Sequence, residues 1–143
     1  MPLRHATYIA SALGLALLAA LPARASTNPD LLPPTLKSGL VTYMSGGISR
    51  EQQFAMERDS AQFPLELHFL ASGPAYALAY VPVTIRDQSG RVVLDTSADG
   101  PLLLADLPDG QYTVSARYNG QTETLAGTIQ HGQHQTLAFD WKY

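Results

Sequence analysis

The chain has 143 residues, 45% of them hydrophobic, with nine basic and twelve acidic side chains and no cysteine. That is one domain's worth of chain. The missing cysteine excludes disulfides and a lipid-modified cysteine anchor, and the acidic balance without a basic cluster argues against nucleic acid or an anionic membrane surface as a partner.

The first 25 residues have the pattern of a secretory signal. Arg4 and His5 make a short basic start, residues 8–21 form a 14-residue apolar run, Pro22 breaks it, and Ala23-Arg24-Ala25 offers small residues at the two positions a signal peptidase reads. The run is short of the ~20 residues that a membrane span needs, so cleavage after Ala25 and no span thereafter is the expectation. Cleavage takes Arg4 and Arg24 with it and leaves seven basic side chains against twelve acidic ones. A periplasmic or secreted location follows from this reading.

Residues 26–38, "STNPDLLPPTLKS", hold three prolines without periodicity and read as a flexible leader, with Leu31 and Leu32 as a conceivable docking tail. The domain then runs over residues 39–143. Residues 40–44 suggest a short strand, and Ser45-Gly46-Gly47 a turn. Residues 49–62 give the one convincing helix. Ser49 and Gln52 form an S-x-x-Q capping box, in which each side chain serves the other's free backbone N–H. Phe54 and Ala61, flanked by Ala55 and Met56, make a narrow apolar stripe, which puts the helix on the outside of the domain.

From Phe63 onward the period is two. Leu65, Leu67 and Phe69 alternate with Glu66 and His68, and Val81, Val83 and Ile85 alternate with Pro82, Thr84 and Arg86. "DQSG" at 87–90 is a turn and "RVVLDT" a strand. Residues 102–107 are a continuous apolar run, too short for a helix and suited to a buried strand. Residues 111–118 place Tyr112, Val114 and Ala116 on one face. Residues 121–129 and 135–141 complete the set, with Leu137, Phe139 and Trp141 sharing a face. About seven short strands bounded by Gly, Pro, Asn or Asp predict an all-β antiparallel sandwich with one short N-terminal helix outside it. Asn119-Gly120 predicts a two-residue type I′ hairpin. It sets Tyr118 opposite Gln121, Val114 opposite Leu125 and Tyr112 opposite Gly127, so the apolar faces coincide.

The stretch over residues 81–129, through "VTIRDQSGRVVLDTSADG" and "LPDGQYTVSARYNG", resembles the carboxypeptidase regulatory-like domains. The resemblance covers about fifty residues. It implies a sandwich of transthyretin (prealbumin-like) type, an accessory role without a catalytic set, and no cofactor. One departure is Pro101-Leu102, where the family often has an aromatic after the Asp-Gly corner. The "SGGIS" segment and the helix after it also look like a group of small exported bacterial proteins that share this domain.

Four sets of residues invite a chemical reading. Asp95, Ser97, Asp99, Gly100 and Asp106 fall at positions 1, 3, 5, 6 and 12 of a calcium-loop template, although position 12 is the shorter acid and the segment after Gly100 reads as a strand. Strand-end turns are the simpler account of these acids and of Asp109. His131 and His134, in "HGQH", sit in a hairpin loop, and a metal would need a third ligand such as His68, which nothing in the pattern brings near. Glu66 and His68 share a strand face and make a possible acid–base pair on what otherwise reads as a solvated face. Tyr76 and Tyr80, in or beside the loop "SGPAYALAY", are the preferred binding residues. The expected function is thus a non-enzymatic exported accessory or binding domain of the periplasm or cell envelope, with a protein or glycan partner. A carbohydrate-binding module is the alternative, and a metal-dependent enzyme built on His68, His131 and His134 the remote one.

Overall fold

The computed structural model describes residues 31–72 and 76–142. The signal-like segment and residues 26–30 lie outside them. The strands are β1 (Leu36–Ser38), β2 (Val41–Gly46), β3 (Leu65–Ala71), β4 (Tyr76–Ala77), β5 (Val81–Asp87), β6 (Val92–Ala98), β7 (Leu102–Asp106), β8 (Gly110–Tyr118), β9 (Gln121–Ile129) and β10 (Gln135–Trp141), with one helix, α1 (Arg50–Asp59), between β2 and β3. They form two sheets packed face to face. The first runs β1-β2-β7-β3-β10, with β4 paired to the end of β3, and the second runs β6-β5-β8-β9.

The alternation read from the sequence is what builds the core. Leu65, Leu67 and Phe69 of β3 face Val83 and Ile85 of β5 and Val114 of β8 across the sandwich, all essentially without solvent exposure. Phe69, Phe139 and Trp141 stack in a row, with ring centroids 5.7 and 6.0 Å apart. The indole N–H of Trp141 donates to the Gln121 carbonyl at 3.1 Å, so burial leaves its one polar atom satisfied. The hairpin register is as predicted: Tyr118 opposes Gln121, Val114 opposes Leu125 and Tyr112 opposes Gly127. Asn119 and Gly120 both have positive φ, 49° and 76°, as a type I′ turn requires.

The described residues form ten strands where about seven were expected, and the two very short ones, β1 and β4, are those the pattern did not show. β1 lies inside the expected leader, paired with β2. Leu32 packs on the helix side of the first sheet, Pro33 is buried and β1 pairs with β2, so these parts of the segment are tied to the sheet. The sheets are also not wholly antiparallel: β10 pairs with β3 in parallel, Gln135 opposite Leu65 through Trp141 opposite Ala71. β9, in the other sheet, carries the chain back to the end where β3 begins, so β10 must leave in the direction of β3.

The continuous apolar run of β7 has a specific cause. Leu103 and Ala105 face the main core, while Leu102 and Leu104 face outward into a second cluster with Met44 and Met56. α1 covers that outer face. Its buried side chains are Ala55 and Met56. Phe54, counted in the predicted stripe, is 70% exposed, and Ala61 is exposed as well. The helix thus meets the sheet along a face one residue round from the stripe, where Met56 meets the β7 leucines.

The capping box is half realised. The Ser49 hydroxyl accepts from the Gln52 N–H at 3.1 Å, but the Gln52 side chain accepts from the Gly47 N–H at 2.7 Å instead of returning to Ser49. It thereby ties the helix start to the glycine turn. Gly100, at the corner between β6 and β7, lies against the backbone of Gly46. A Cβ there would overlap the Gly46 carbonyl group and come within 3.0 Å of its Cα. The Asp-Gly corner is therefore a place where two backbones touch.

Candidate functional site

The sandwich has two chemically different ends. At one end the chain passes through Gly47 and Ile48, the corner at Asp99-Gly100, the start of β5 and the Asn119-Gly120 turn. Tyr80 stands immediately before β5 at this end. Its N–H donates to the Ala98 carbonyl at 2.7 Å, its side chain is 73% exposed, and its φ is +59°. A bulky residue in the left-handed region is uncommon and costs on the order of 1–3 kcal/mol. Ile48, 66% exposed, lies at the same end. Tyr76 is placed by its backbone alone, in β4 opposite Ala71. The two candidate tyrosines thus belong to the same end of the fold.

The aspartates of the calcium template are not brought together. Asp95 sits mid-way along β6, with the Thr84 hydroxyl 3.5 Å from its carboxylate. Asp99 is in the corner, where its N–H donates to the Ser45 hydroxyl at 3.0 Å. Asp106 ends β7, opposite Thr42, in the other sheet and at the other end. The segment runs strand, corner, strand instead of wrapping, and Gly100 is needed by its contact with Gly46 rather than by a bend around a cation. Among the described residues, no group of three or more His, Asp or Glu side chains is placed to hold a metal ion.

The other end holds a cluster that the sequence pattern did not assemble. Glu66 projects from the outer face of β3 and is only 7% exposed. One of its oxygens, Oε1, lies 2.7 Å from His68 Nε2, and the other, Oε2, lies 2.7 Å from His134 Nε2. The second ring nitrogen of His134, Nδ1, lies 2.6 Å from the Phe63 carbonyl. The Glu66–His68 pair follows from strand periodicity. His134 joins it because β10 pairs in parallel with β3: Gln135 is opposite Leu65, and its N–H donates to the Pro64 carbonyl at 2.8 Å. The residue before Gln135 is thereby set beside Glu66. Only the pairing of strands seventy residues apart supplies that contact, so no local signal announced it.

His131 does not join the cluster. It is exposed and shares a cleft of about 470 Å³ with Asp106, Asp109 and His134, between the β7–β8 corner and the β9–β10 loop. His68, His131 and His134 therefore do not converge on one point. His68 and His134 meet through the carboxylate between them, and what that arrangement handles chemically is protons.

Neither the protein-family models nor the curated proteins include a match to this chain. No helix among the described residues is long and apolar enough to cross a membrane.

Proposed function

We propose that this chain is an exported, non-enzymatic binding domain of carboxypeptidase regulatory-like character, which engages a protein or glycan of the cell envelope through the end that carries Tyr80. The observation behind the reading is Tyr80 itself. A tyrosine at positive φ with its ring in solvent gives the fold little and costs it something; glycine or asparagine would fill the position with less strain. Strain of this kind is retained where the side chain is used. The likeness of residues 81–129 to the regulatory-like domains, together with the signal-like start, supports an exported accessory role.

The test is recovery of partners from an envelope extract by the tagged chain, beside its Tyr80→Gly variant. Glycine removes the ring and relieves the backbone, so the variant folds at least as well as the wild type. Loss of recovery with unchanged stability is the expected result; equal recovery overturns the reading. The exposed ring also suits stacking on a sugar, which makes carbohydrate binding the second reading. A glycan array separates the two: binding lost in Tyr80→Gly supports a glycan ligand, and absence of any binding leaves the protein partner. The sequence of the exported form should begin at Ser26.

A further inference from the structure

The geometry points to a proton-operated latch at the opposite end of the molecule: a proton held between His134 and Glu66 fastens the β9–β10 loop to β3, and its loss releases the loop. The argument is a proton count. The Phe63 carbonyl can only accept, so His134 Nδ1 donates to it and carries a hydrogen. In a neutral ring Nε2 would then be a bare lone pair. It faces a carboxylate oxygen at 2.7 Å, and a carboxylate too can only accept. Two acceptors at that distance repel unless a proton lies between them. The pair therefore holds one proton more than a neutral imidazole and a free carboxylate would. A proton held between imidazole and carboxylate makes the bond a charge-assisted one, and the burial of Glu66 makes it costly to leave unmade.

The surroundings frame the latch. Glu66 and His68 face it from β3, His131 from its own loop, and Asp106 and Asp109 from the β7–β8 corner, across the shared cleft. The strand neighbours opposite Glu66 are Thr136 and Leu104, and the 3-10 turn over Ser60–Gln62 carries no ionisable group. His68 satisfies the other oxygen of Glu66 when it donates. A ring with hydrogen on both nitrogens makes both bonds, whereas a ring with one hydrogen can donate only to the Phe63 carbonyl or to the Glu66 carboxylate, so loss of a proton opens one side of the latch. The cleft wall made by residues 131–134 is freed with it. This device is independent of the Tyr80 end and stands or falls separately.

Ring-nitrogen NMR of the wild-type chain is the direct test. We expect N–H signals at both nitrogens of His134 in the latched state, with backbone amides of residues 131–134 shifting along the same titration curve as the ring. In Glu66→Gln the side-chain amide can donate to a neutral His134, so the loop stays in place and its amides no longer follow the His134 ring. In His134→Ala, exchange of the loop amides should quicken by about tenfold or more, since a bond to a charged group is lost. A wild-type ring that carries a single N–H throughout, beside loop amides that do not follow the His134 ring, overturns the proposal. The wild-type titration and His134→Ala carry the test if Glu66→Gln perturbs folding.

Discussion

Tyr112 shows how one side chain fastens a corner. Its ring is buried beneath "LPDG", and its hydroxyl donates to the Pro108 carbonyl four residues upstream at 2.7 Å. Burial, and then the negative charges of Asp87 and Asp109, push its phenol above the ordinary range. A raised value means that the fold favours the neutral phenol. That contribution is complete below about pH 10 and is lost as pH rises through the folded-state value. Tyr112→Phe should lower stability by about 0.5–1.5 kcal/mol at neutral pH in urea unfolding. It should also remove this residue's share of the alkaline loss, so that the two proteins converge as pH rises. Asp87 acts in the opposite sense. The Ser89 hydroxyl, then the Arg91 and Ser89 N–H groups and the Arg91 charge, hold its carboxylate below the ordinary range against some desolvation. Its contribution is present above about pH 4 and is lost as pH falls through the lower folded-state value. In denaturant midpoints, the gap between wild type and Asp87→Ala should be full at pH 6 and close in acid.

At the scale of elements, α1 separates what periodicity shows from what contact decides. Its existence and its start were legible: Ser49 caps it, as its place before the apolar residues implies. Its buried face was not legible, because a ten-residue helix with few apolar side chains permits neighbouring choices of stripe. Met44, Leu102 and Leu104 make the choice by offering a patch that Met56 fills. Met56→Ala should therefore cost about 2–5 kcal/mol and Phe54→Ala under about 0.5 kcal/mol, measured by chemical unfolding. A larger loss at Phe54 than at Met56 would place the helix the other way round. The β8–β9 hairpin lies at the opposite extreme. Turn chemistry and alternation there were both local and both specific, and its register came out of the sequence intact.

For the whole molecule the decisive contacts are those between distant segments. Gly100 touches the backbone of Gly46, and the Asp99 N–H meets the Ser45 hydroxyl, so the crossing from the second sheet to the first is built against β2. Gly100→Ala must push these backbones apart and should cost about 1–3 kcal/mol or more, read as a fall in the thermal midpoint, while Gly90→Ala, which meets no neighbour, should cost only its turn strain. The polar cluster depends on the same kind of contact. Glu66 and His68 are two apart and could be paired on paper, whereas His134 reaches them only through the parallel docking of β10 on β3.

The sequence by itself determined the period-two strands, the β8–β9 register, the helix cap and the main core, because each rests on neighbours in the chain or on alternation. The tertiary structure alone decided the parallel β3–β10 pair, the helix face, the separation of Asp95 and Asp99 from Asp106, and the meeting of His134 with Glu66. These depend on which strands lie side by side, and strand pairing across seventy residues is set by how two sheets bury their faces against each other, not by any local preference.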